Sequence, residues 1–246
     1  MEILNRICTL TYPLYFLDFE SFQPAVPLYD DSHPYEQIVF QYSLHYITTA
    51  GGELKHKEYL AQPGEDPRRG VAEALCRDIP RNVCTLAYNM GFEKGRIKGL
   101  TELFPDLADH LMDIHDHIVD LMVPFQKRQY YCRAMQGSYS IKYVLPALFP
   151  GDPELDYHSL DGVHNGTEAS AAFEKMGEMD PVERQKCREN LLKYCGLDTL
   201  AMVIMLGTDL TGVNIAVDRI FKSYFRMSGS NAFTPSYMVA DTAENR

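Results

Sequence analysis

Hydrophobic and polar positions alternate near the start of the chain in the manner of β-strands. The segments with this pattern are rich in β-branched and aromatic residues, and they predict strands over residues 13–21, 37–47, 53–61 and 83–89. The Gly51-Gly52 pair supplies a turn between the second and third segments. The first three strands are therefore predicted to form an antiparallel meander.

Apolar residues at helical spacing follow in the rest of the chain. Asp66 and Pro67 form a cap and first-turn signal for a helix over residues 66–79. Further helices are predicted over residues 93–103, 106–125, 138–149, 167–177, 181–206 and, more weakly, 213–222. The Pro-, Gly- and Asp-rich residues 150–166 predict a loop. We expect one domain over residues 1–210, followed by a C-terminal helix and loosely held tail over 211–246.

Composition narrows the class of protein. The 246 residues are 46% hydrophobic, but they contain no apolar run near the roughly 20 residues that cross a bilayer and no clear signal peptide. These features predict a soluble, cytoplasmic protein without a membrane partner. The formal charge of −11 argues against nonspecific adhesion to DNA, although carboxylates gathered around metal ions remain compatible with a nucleic-acid enzyme. Six scattered cysteines without a CxxC pair predict buried, reduced thiols.

Two acids interrupt the first predicted strand, in the sequence FLDFES at residues 16–21. Successive strand side chains alternate between faces, so Asp18 and Glu20 share one face while Leu17 and Phe19 share the other. Neighbouring like charges resist joint ionisation unless a cation lies between them, and Mg²⁺ or Mn²⁺ prefers carboxylate oxygen. A metal is the simplest explanation for two acids so close together; taken alone, however, such a pair is more typical of a strand end whose acids face water.

Two distant segments offer further acids. In KYCGLDTLAMV, Tyr194 and Asp198 are four residues apart and project from one face of a predicted helix. In LAYNMGFEKG, Asn89 ends a predicted strand, and Glu93 lies where the next helix begins. A helix-surface Tyr and Asp and a first-turn Glu favoured by the helix dipole are the alternative explanations.

The order of these three motifs resembles the DEDD superfamily of 3′–5′ exonucleases. The motifs are Asp18-Phe19-Glu20, then Asn89 to Glu93, then Tyr194 to Asp198, and the tyrosine is similar to that of the tyrosine subtype. The phrases GSYSIKYVLPALFP and NGTEAS also resemble a bacterial branch of this superfamily that is often found behind a RecB-like nuclease domain. The resemblance covers roughly residues 12–207.

The resemblance implies an α/β, ribonuclease H-like fold, with a mixed sheet that opens with antiparallel strands and has helices on both faces. It implies a metal-dependent exonuclease acting on the 3′ end of single-stranded DNA or RNA through two Mg²⁺ or Mn²⁺ ions. Asp18 would bridge both ions, and Glu20 and Asp198 would hold the ion that activates water. Glu93 would support the second ion, and Tyr194 would position the water. A fused or separate RecB-like nuclease domain is the expected protein partner.

One position departs from the family pattern. The second motif usually ends in Asp, whereas this chain has Glu93, which keeps the charge but moves the carboxylate. The alternative hypothesis is therefore a weakened or inactive nuclease fold that binds nucleic acid or a partner protein. Asp120, assigned to an apolar helical face, is a candidate supporting acid, with a capping or surface role as its alternative.

Candidate substrate-binding residues come from two sources. By the resemblance, Phe19, Asn89 and Phe92 contact the substrate. In PFQKRQYYCR, Lys127 and Arg128 are interleaved with aromatic residues, a combination that suits phosphates and unstacked bases. A solvated basic loop beside core aromatics is the alternative.

A competing metal motif lies in HLMDIHDHIVD, residues 110–120. The His115-Asp116 pair matches the metal-binding pair of HD phosphohydrolases, but the other ligands of that family are not recognisable. A surface helix with polar histidines is the favoured interpretation.

Overall fold

Five strands form one mixed sheet in the computed structural model, which describes residues 10–151, 155, 157 and 160–206. The strands are β1 (Leu14–Phe22), β2 (Ile38–Ile47), β3 (Lys55–Leu60), β4 (Cys84–Ala87) and β5 (Ile118–Asp120). Their order across the sheet is β3-β2-β1-β4-β5. The predicted helix over 213–222, the tail and the boundary after residue 210 lie outside the described residues.

The sheet combines an antiparallel and a parallel half around β1. β2 pairs antiparallel with β1 and with β3, so the predicted meander is confirmed. β4 runs parallel to β1, and β5 runs parallel to β4. Phe16 and Leu17 point to opposite faces of β1 and are both fully buried. Burying each such side chain contributes about 1.5–3 kcal/mol, which explains the apolar character of the central strand.

Helices cover both faces of the sheet. They are α1 (Pro67–Asp78), α2 (Met90–Leu103), α3 (Ala108–Asp116), α4 (Val123–Gln126), α5 (Ile141–Leu148), α6 (Gly166–Met176) and α7 (Pro181–Leu206), with a 3-10 helix at Arg133–Met135. The α1 helix begins as predicted, because the Asp66 side chain accepts a hydrogen bond from the Arg68 backbone N–H at 3.0 Å. α2 begins at Met90, three residues before its predicted start.

The prediction of one helix over residues 106–125 is wrong. α3 ends at Asp116, and Ile118–Asp120 forms the edge strand β5, which pairs with β4 from Thr85↔Ile118 to Ala87↔Asp120. The short α4 helix follows. Apolar spacing does not reveal a pairing partner more than thirty residues away, so a three-residue strand was absorbed into a helical pattern.

The two faces of β1 pack against different helices. Leu17 and Phe19 belong to a core with side chains of α1, α2 and α3. Phe16 packs with Met202 and Val203 of α7, and Phe22 packs in the core formed with α5, α6 and α7. This arrangement confirms the predicted α/β fold class, a ribonuclease H-like mixed sheet with helices on both faces. It also directs Asp18 and Glu20 toward α7.

Among the described residues, no helix is both long and apolar enough to cross a membrane. The cysteines at 76, 84, 132 and 187 are free and half-buried, and Cys195 is free and fully buried. The free state of these five thiols agrees with the prediction, while burial holds only for Cys195.

Candidate functional site

The acid pair of β1 lies beneath the long helix α7. Glu20 is only 7% exposed and Asp18 is partly buried, so neither is the freely solvated strand-end acid of the alternative interpretation. The strand register changes directly after Glu20, where a β-bulge separates it from Ser21. Bulges bend a strand locally and are common beside functional sites. The paired acids therefore lie at an interrupted point of an otherwise regular central strand.

Helix α7 brings three further side chains to this strand. Tyr194 and Asp198 lie one turn apart on its sheet-facing side, 3% and 7% exposed respectively. Cys195 lies between them, with its Sγ 3.7 Å from the Asp18 backbone oxygen and 3.8 Å from Asp18 Oδ2. One potential ligand atom from each of Asp18, Glu20 and Cys195 lies within 4.8 Å of the other two. Sequence reasoning missed Cys195 because it treated the cysteines as structural thiols.

Burial disfavours the charged form of the carboxylates in this cluster, and repulsion between neighbouring acids adds to this effect for Asp18 and Glu20. Burial raises the pKa of Asp18 well above its usual range, and the neighbouring carboxylates of Asp198, Glu20 and Glu93 raise it further. Burial, followed by repulsion from Asp198, raises the pKa of Glu20 to about 8. The pKa of Asp198 rises to about 6, again through burial. Such a cluster binds protons or cations to relieve its charge.

Glu93 joins the cluster from the first turn of α2. Its side chain is 2% exposed, and Oε2 has no hydrogen-bond partner among the described residues. Burial raises the pKa of Glu93 to about 8, and Asp120 adds to the shift. The preceding Asn89 has a left-handed backbone (φ 80°), which turns the chain from β4 into this helix. The structure thus places the second-motif acid beside the first, despite the longer side chain.

Asp120 is not on a helical face as predicted, because it ends β5. Its Oδ1 accepts hydrogen bonds from the backbone N–H groups of Asn89 at 3.1 Å and Met122 at 2.8 Å. The carboxylate therefore ties the end of β5 to the start of α2. This capping role was the stated alternative, although Asp120 also lies close enough to raise the pKa of Glu93.

Two residues that sequence reasoning did not assign complete the site. Tyr157, from the predicted loop, donates its hydroxyl to Asp198 Oδ1 at 2.7 Å. Lys142 of α5 donates from Nζ to the Tyr194 hydroxyl oxygen at 2.8 Å and to the His164 carbonyl at 3.1 Å. Its positive charge lowers the pKa of both Glu20 and Asp198, opposing the effect of burial. Lys142 lies within the family-like phrase GSYSIKYVLPALFP, so the sequence did carry a signal for it.

Polar contacts hold α7 against β2, the strand next to β1. Thr199 Oγ1 lies 2.7 Å from Ser43 Oγ and 2.7 Å from His45 Nδ1. Ser43 is the β2 residue paired with Asp18. About two turns toward the N-terminus of α7, the Leu191 carbonyl accepts a hydrogen bond from Gln41 Nε2 at 2.8 Å. These buried bonds position α7 relative to the β1 acids.

The candidate substrate-binding residues divide into buried and exposed groups. The side chain of Phe19 is 4% exposed and lies in the core on the far face of β1, so the structure does not bring it to the acids. Phe92 is partly buried against the same core, with the Arg96 guanidinium 5.5 Å from its ring centroid. Asn89, Lys127 and Arg128 are exposed and open to solvent.

The His115-Asp116 pair forms a local contact instead of a metal cluster. His115 Nδ1 lies 2.7 Å from Asp116 Oδ1, and the Asp116 side chain is 66% exposed. Over the described ranges, three potential ligands converge at Asp18, Glu20 and Cys195 and at no other place. The surface-helix interpretation of this segment is the one that fits the structure.

One relative in the comparison with known proteins is an uncharacterised protein, UU173, of Ureaplasma parvum serovar 3. It is 23% identical to this chain over an alignment of 210 residues, and the match covers 76% of this chain and 30% of the relative. The chain therefore corresponds to less than a third of that protein's length.

A family model, described as a domain of unknown function (DUF2779), matches residues 15–140. The match spans β1 to the segment before α5, so it includes Asp18, Glu20 and Glu93 and ends before α7. Because it covers just over half of the 246 residues, the chain belongs to the DUF2779 family.

Proposed function

We propose that this domain is a metal-dependent 3′–5′ exonuclease that hydrolyses phosphodiester bonds in single-stranded DNA or RNA. The observation that carries the proposal is the convergence of Asp18, Glu20, Glu93 and Asp198 from three distant segments. Burial raises the pKa of each acid, neighbouring acids raise the pKa of Asp18 and Glu20 further, and the positive charge of Lys142 lowers only the pKa of Glu20 and Asp198. A fold that gathers buried like charges without pairing them fits a site for external cations.

The donor set suits Mg²⁺ or Mn²⁺. Asp18, Glu20 and Asp198 offer hard carboxylate oxygens. Glu93 Oε2, a buried acceptor without a hydrogen-bond partner in the described part of the chain, would be satisfied by a metal-bound water. When bound, two such ions lower the pKa of a coordinated water and stabilise charge on the reacting phosphate. The resemblance assigns Asp18 to both ions, Glu20 and Asp198 to one, and Glu93 to the other.

Tyr194 is assigned to positioning. Its oxygen accepts a hydrogen bond from Lys142, so its own O–H is available to donate to a water or phosphate oxygen. Burial raises the pKa of Tyr194 above its usual value, and the neighbouring Asp198 raises it further, so the phenol stays protonated at neutral pH. A permanently protonated phenol orients a reactant and does not act as a general base. Tyr157 in turn orients Asp198 through its 2.7 Å hydrogen bond.

The proposed substrate is a flexible 3′ end. The exposed Lys127 and Arg128 follow α4 and are free to contact phosphates, while the buried Phe19 is omitted from the proposed contacts. The proposal includes a cytoplasmic location and a fused or separate RecB-like nuclease domain as partner. Its support for a partner is the sequence resemblance, together with a relative more than three times as long as the matched segment.

Cleavage of labelled single strands tests the function. With Mn²⁺ or Mg²⁺, a 5′-labelled DNA or RNA strand should shorten to a ladder, because nucleotides leave from the 3′ end. Asp18→Asn should reduce the rate at least about 100-fold, since it removes a group that holds charge in the transition state. Asp116→Asn, at the exposed His115-Asp116 pair, is the matched control and should retain the rate.

Three results would redirect the proposal. Unchanged trimming in Asp18→Asn would place the active site elsewhere. Loss of trimming in Asp116→Asn, with Asp18→Asn active, would favour the HD-type alternative. Metal-dependent binding of the strand without cleavage would favour the inactive, nucleic-acid-binding alternative associated with Glu93.

A further inference from the structure

Cys195 gives the acid cluster an unusual sulfur atom. The thiol is fully buried, and its Sγ is 3.8 Å from Asp18 Oδ2, with Glu20 completing a group whose donor atoms lie within 4.8 Å of one another. Cys195 and Asp198 are three residues apart on α7, so they project toward β1 from the same side of the helix. A sulfur donor therefore lies inside the set of oxygens proposed to hold Mg²⁺ or Mn²⁺.

A separate observation points to a cation beside this group. Glu93 Oε2 is buried and without a hydrogen bond among the described residues, and the Glu93 and Asp18 carboxylates are near enough to repel one another. A buried acceptor without a donor is costly. A cation bound beside Asp18 would remove that cost, so the surroundings of Cys195 favour a metal ion over a purely apolar packing role.

The sulfur changes which ions the site can hold. Mg²⁺ is a hard ion that takes oxygen ligands and retains waters, so it gains nothing from a thiol. Zn²⁺ and similar borderline ions bind thiolate and carboxylate together, with metal-sulfur distances of about 2.3 Å and metal-oxygen distances of about 2.0–2.2 Å. Tetrahedral angles then separate sulfur from oxygen by about 3.5 Å. Cys195 Sγ and Asp18 Oδ2 are 3.8 Å apart, so side-chain adjustment of a few tenths of an ångström is sufficient.

We propose that Asp18, Glu20 and Cys195 form a mixed carboxylate-thiolate site for a thiophilic divalent ion such as Zn²⁺. As the metal-sulfur bond forms, the S–H bond breaks and its proton passes to solvent. The ion takes the Asp18 and Glu20 oxygens that a Mg²⁺ or Mn²⁺ ion would use. The binding site stands on the geometry alone, whereas the resulting inhibition of cleavage rests on the proposed function.

Without such an ion, the sulfur has a different role. The buried Cys195 S–H donates weakly to the backbone oxygen and Oδ2 of Asp18, at 3.7 and 3.8 Å. The thiol is therefore compatible with hard ions bound nearby, and it becomes a ligand only when a thiophilic ion is present.

Cobalt absorption tests the site directly. Co²⁺ serves as the probe because a thiolate ligand gives it a charge-transfer band in the near ultraviolet, which carboxylate ligands do not produce. The full 246-residue chain is titrated with Co²⁺ under reducing conditions, alongside Cys195→Ser and the matched control Cys187→Ser. Cys187 is a half-buried cysteine on the same helix, and its Sγ contacts the Ala172 carbonyl instead of the acids.

The expected result is one saturable band in the natural chain and in Cys187→Ser, and no band in Cys195→Ser. Asp18→Asn, which keeps the thiol, should weaken Co²⁺ binding at least about tenfold, because even loss of a group behind a ligand has an effect of that size. If Cys195→Ser fails to fold, the Asp18→Asn titration decides the question. A missing band in the natural chain, a band that persists in folded Cys195→Ser, or an unchanged affinity in Asp18→Asn would each overturn the site.

The cleavage assay separates this inference from the proposed function. A Cys195-dependent band in a protein that cleaves no strand would support the thiolate site and contradict the exonuclease proposal. Cleavage in Mn²⁺ without a cobalt band would support the exonuclease and overturn the thiolate site. With both present, Zn²⁺ should inhibit the natural chain at least about tenfold more strongly than Cys195→Ser.

Discussion

The buried acid Asp78 and the cluster of acids beneath α7 differ in how their negative charge is compensated. Asp78, at the end of α1, is 6% exposed and accepts hydrogen bonds from the Tyr42 hydroxyl at 2.6 Å, Lys57 at 3.1 Å and Arg77 at 2.9 and 3.0 Å. Burial alone raises the pKa of Asp78, but these bonds outweigh it and hold the pKa below its usual value.

Among the described residues, the acids beneath α7 have fewer hydrogen-bond donors than Asp78, and Tyr157 donates to Asp198 alone. Burial raises the pKa of Asp18, Glu20 and Glu93, and at least one neighbouring acid raises each of them further. Lys142 is the nearby cation that lowers the pKa of Glu20 and Asp198. The chain evidently can compensate a buried carboxylate within its own structure, as Asp78 shows. The negative charge beneath α7 is compensated less fully than that of Asp78, as is typical of a binding site. Five experiments test this comparison.

The largest expected effect is stabilisation by metal. Mn²⁺ at about 100 times its dissociation constant should stabilise the protein by about 2.7 kcal/mol, or about 5–10 °C in Tm for a chain of this size. Asp198→Asn should lose most of this increase in a calorimetric scan, whereas Asp78→Asn should keep it. An equal increase in both variants would remove the distinction between the two acid groups.

Replacing Lys142, the positively charged side chain beside the acids, should have the next largest effect. Lys142→Gln is expected to reduce cleavage about 10–100-fold at pH 7, because the pKa of Glu20 and Asp198 rises and Tyr194 loses its donor. The acidic limb of the pH–rate profile should move to higher pH, so the defect should shrink near pH 9. Lys142→Arg is the control that keeps the charge and should retain more activity. A defect equal at every pH would show that Lys142 acts only through packing.

Neutralising one acid in each group should change stability in opposite directions. Asp78→Asn should lower the free energy of unfolding by about 2 kcal/mol, since it weakens hydrogen bonds to charged donors. Asp18→Asn in EDTA at pH 8 should raise it by about 1 kcal/mol, because it relieves repulsion among buried carboxylates. Urea unfolding midpoints measure both changes. Destabilisation of the same size in both variants would contradict the comparison.

The pH dependence of the metal-free protein should follow the raised pKa values. The pKa of Glu20 is about 8 in the folded state against 4.5 ordinarily, so between these values the folded state binds more protons than the unfolded state. Stability should therefore fall as pH rises from about 4.5 to 8, by up to about 1.4 kcal/mol per pH unit for each such group. Asp78, with its lowered pKa, contributes the opposite trend below its ordinary 3.8.

Glu20→Gln and saturating Mn²⁺ should each flatten this decline. Denaturant unfolding at pH 5, 6, 7 and 8, with EDTA or with Mn²⁺, measures the slope. A slope that Glu20→Gln leaves intact would show that another group causes it.

The smallest effect is expected for exposed charges. Lys127→Ala should weaken binding of a single strand a few-fold and reduce the dependence of log K on log salt by about 0.7, the value for one lost phosphate contact. Fluorescence anisotropy in Ca²⁺, at several salt concentrations, measures both quantities. Lys186→Ala, an exposed lysine on α7, is the control. Equal slopes in the two variants would remove Lys127 from the proposed substrate contacts.

Much of the fold could be predicted from local patterns. The strands β1, β2 and β3 carry alternating and β-branched residues, and α1 begins with an Asp cap, so neighbouring residues alone encode them. β5 could not be found this way, because three residues become a strand only through pairing with β4. The same limit misplaced Asp120.

The candidate site was predictable where its residues form short motifs. Asp18 and Glu20 share a strand face, and Tyr194 and Asp198 share a helix face, so spacing alone brings each pair together. Tyr157 and Lys142 do not belong to a motif with such spacing. Tyr157, in a loop, and Lys142, on α5, reach Asp198 and Tyr194 only when their segments pack against α7. Phe19 shows the opposite situation: its place within a motif predicts a substrate contact, while strand alternation directs its side chain into the core on the opposite face of the sheet.

The contact between Thr199 and β2 has a mechanical consequence. The hydrophobic effect is non-directional, whereas two 2.7 Å hydrogen bonds that join one hydroxyl to Ser43 and His45 favour a single rotational setting of the helix. Each residue of an α-helix advances about 100° around its axis, so a roll by one position would carry Asp198 away from β1. The hydrogen bonds of Thr199 therefore fix the rotation of α7 about its own axis. The position of Asp198 relative to the β1 acids thus depends on a neighbouring residue that carries no charge.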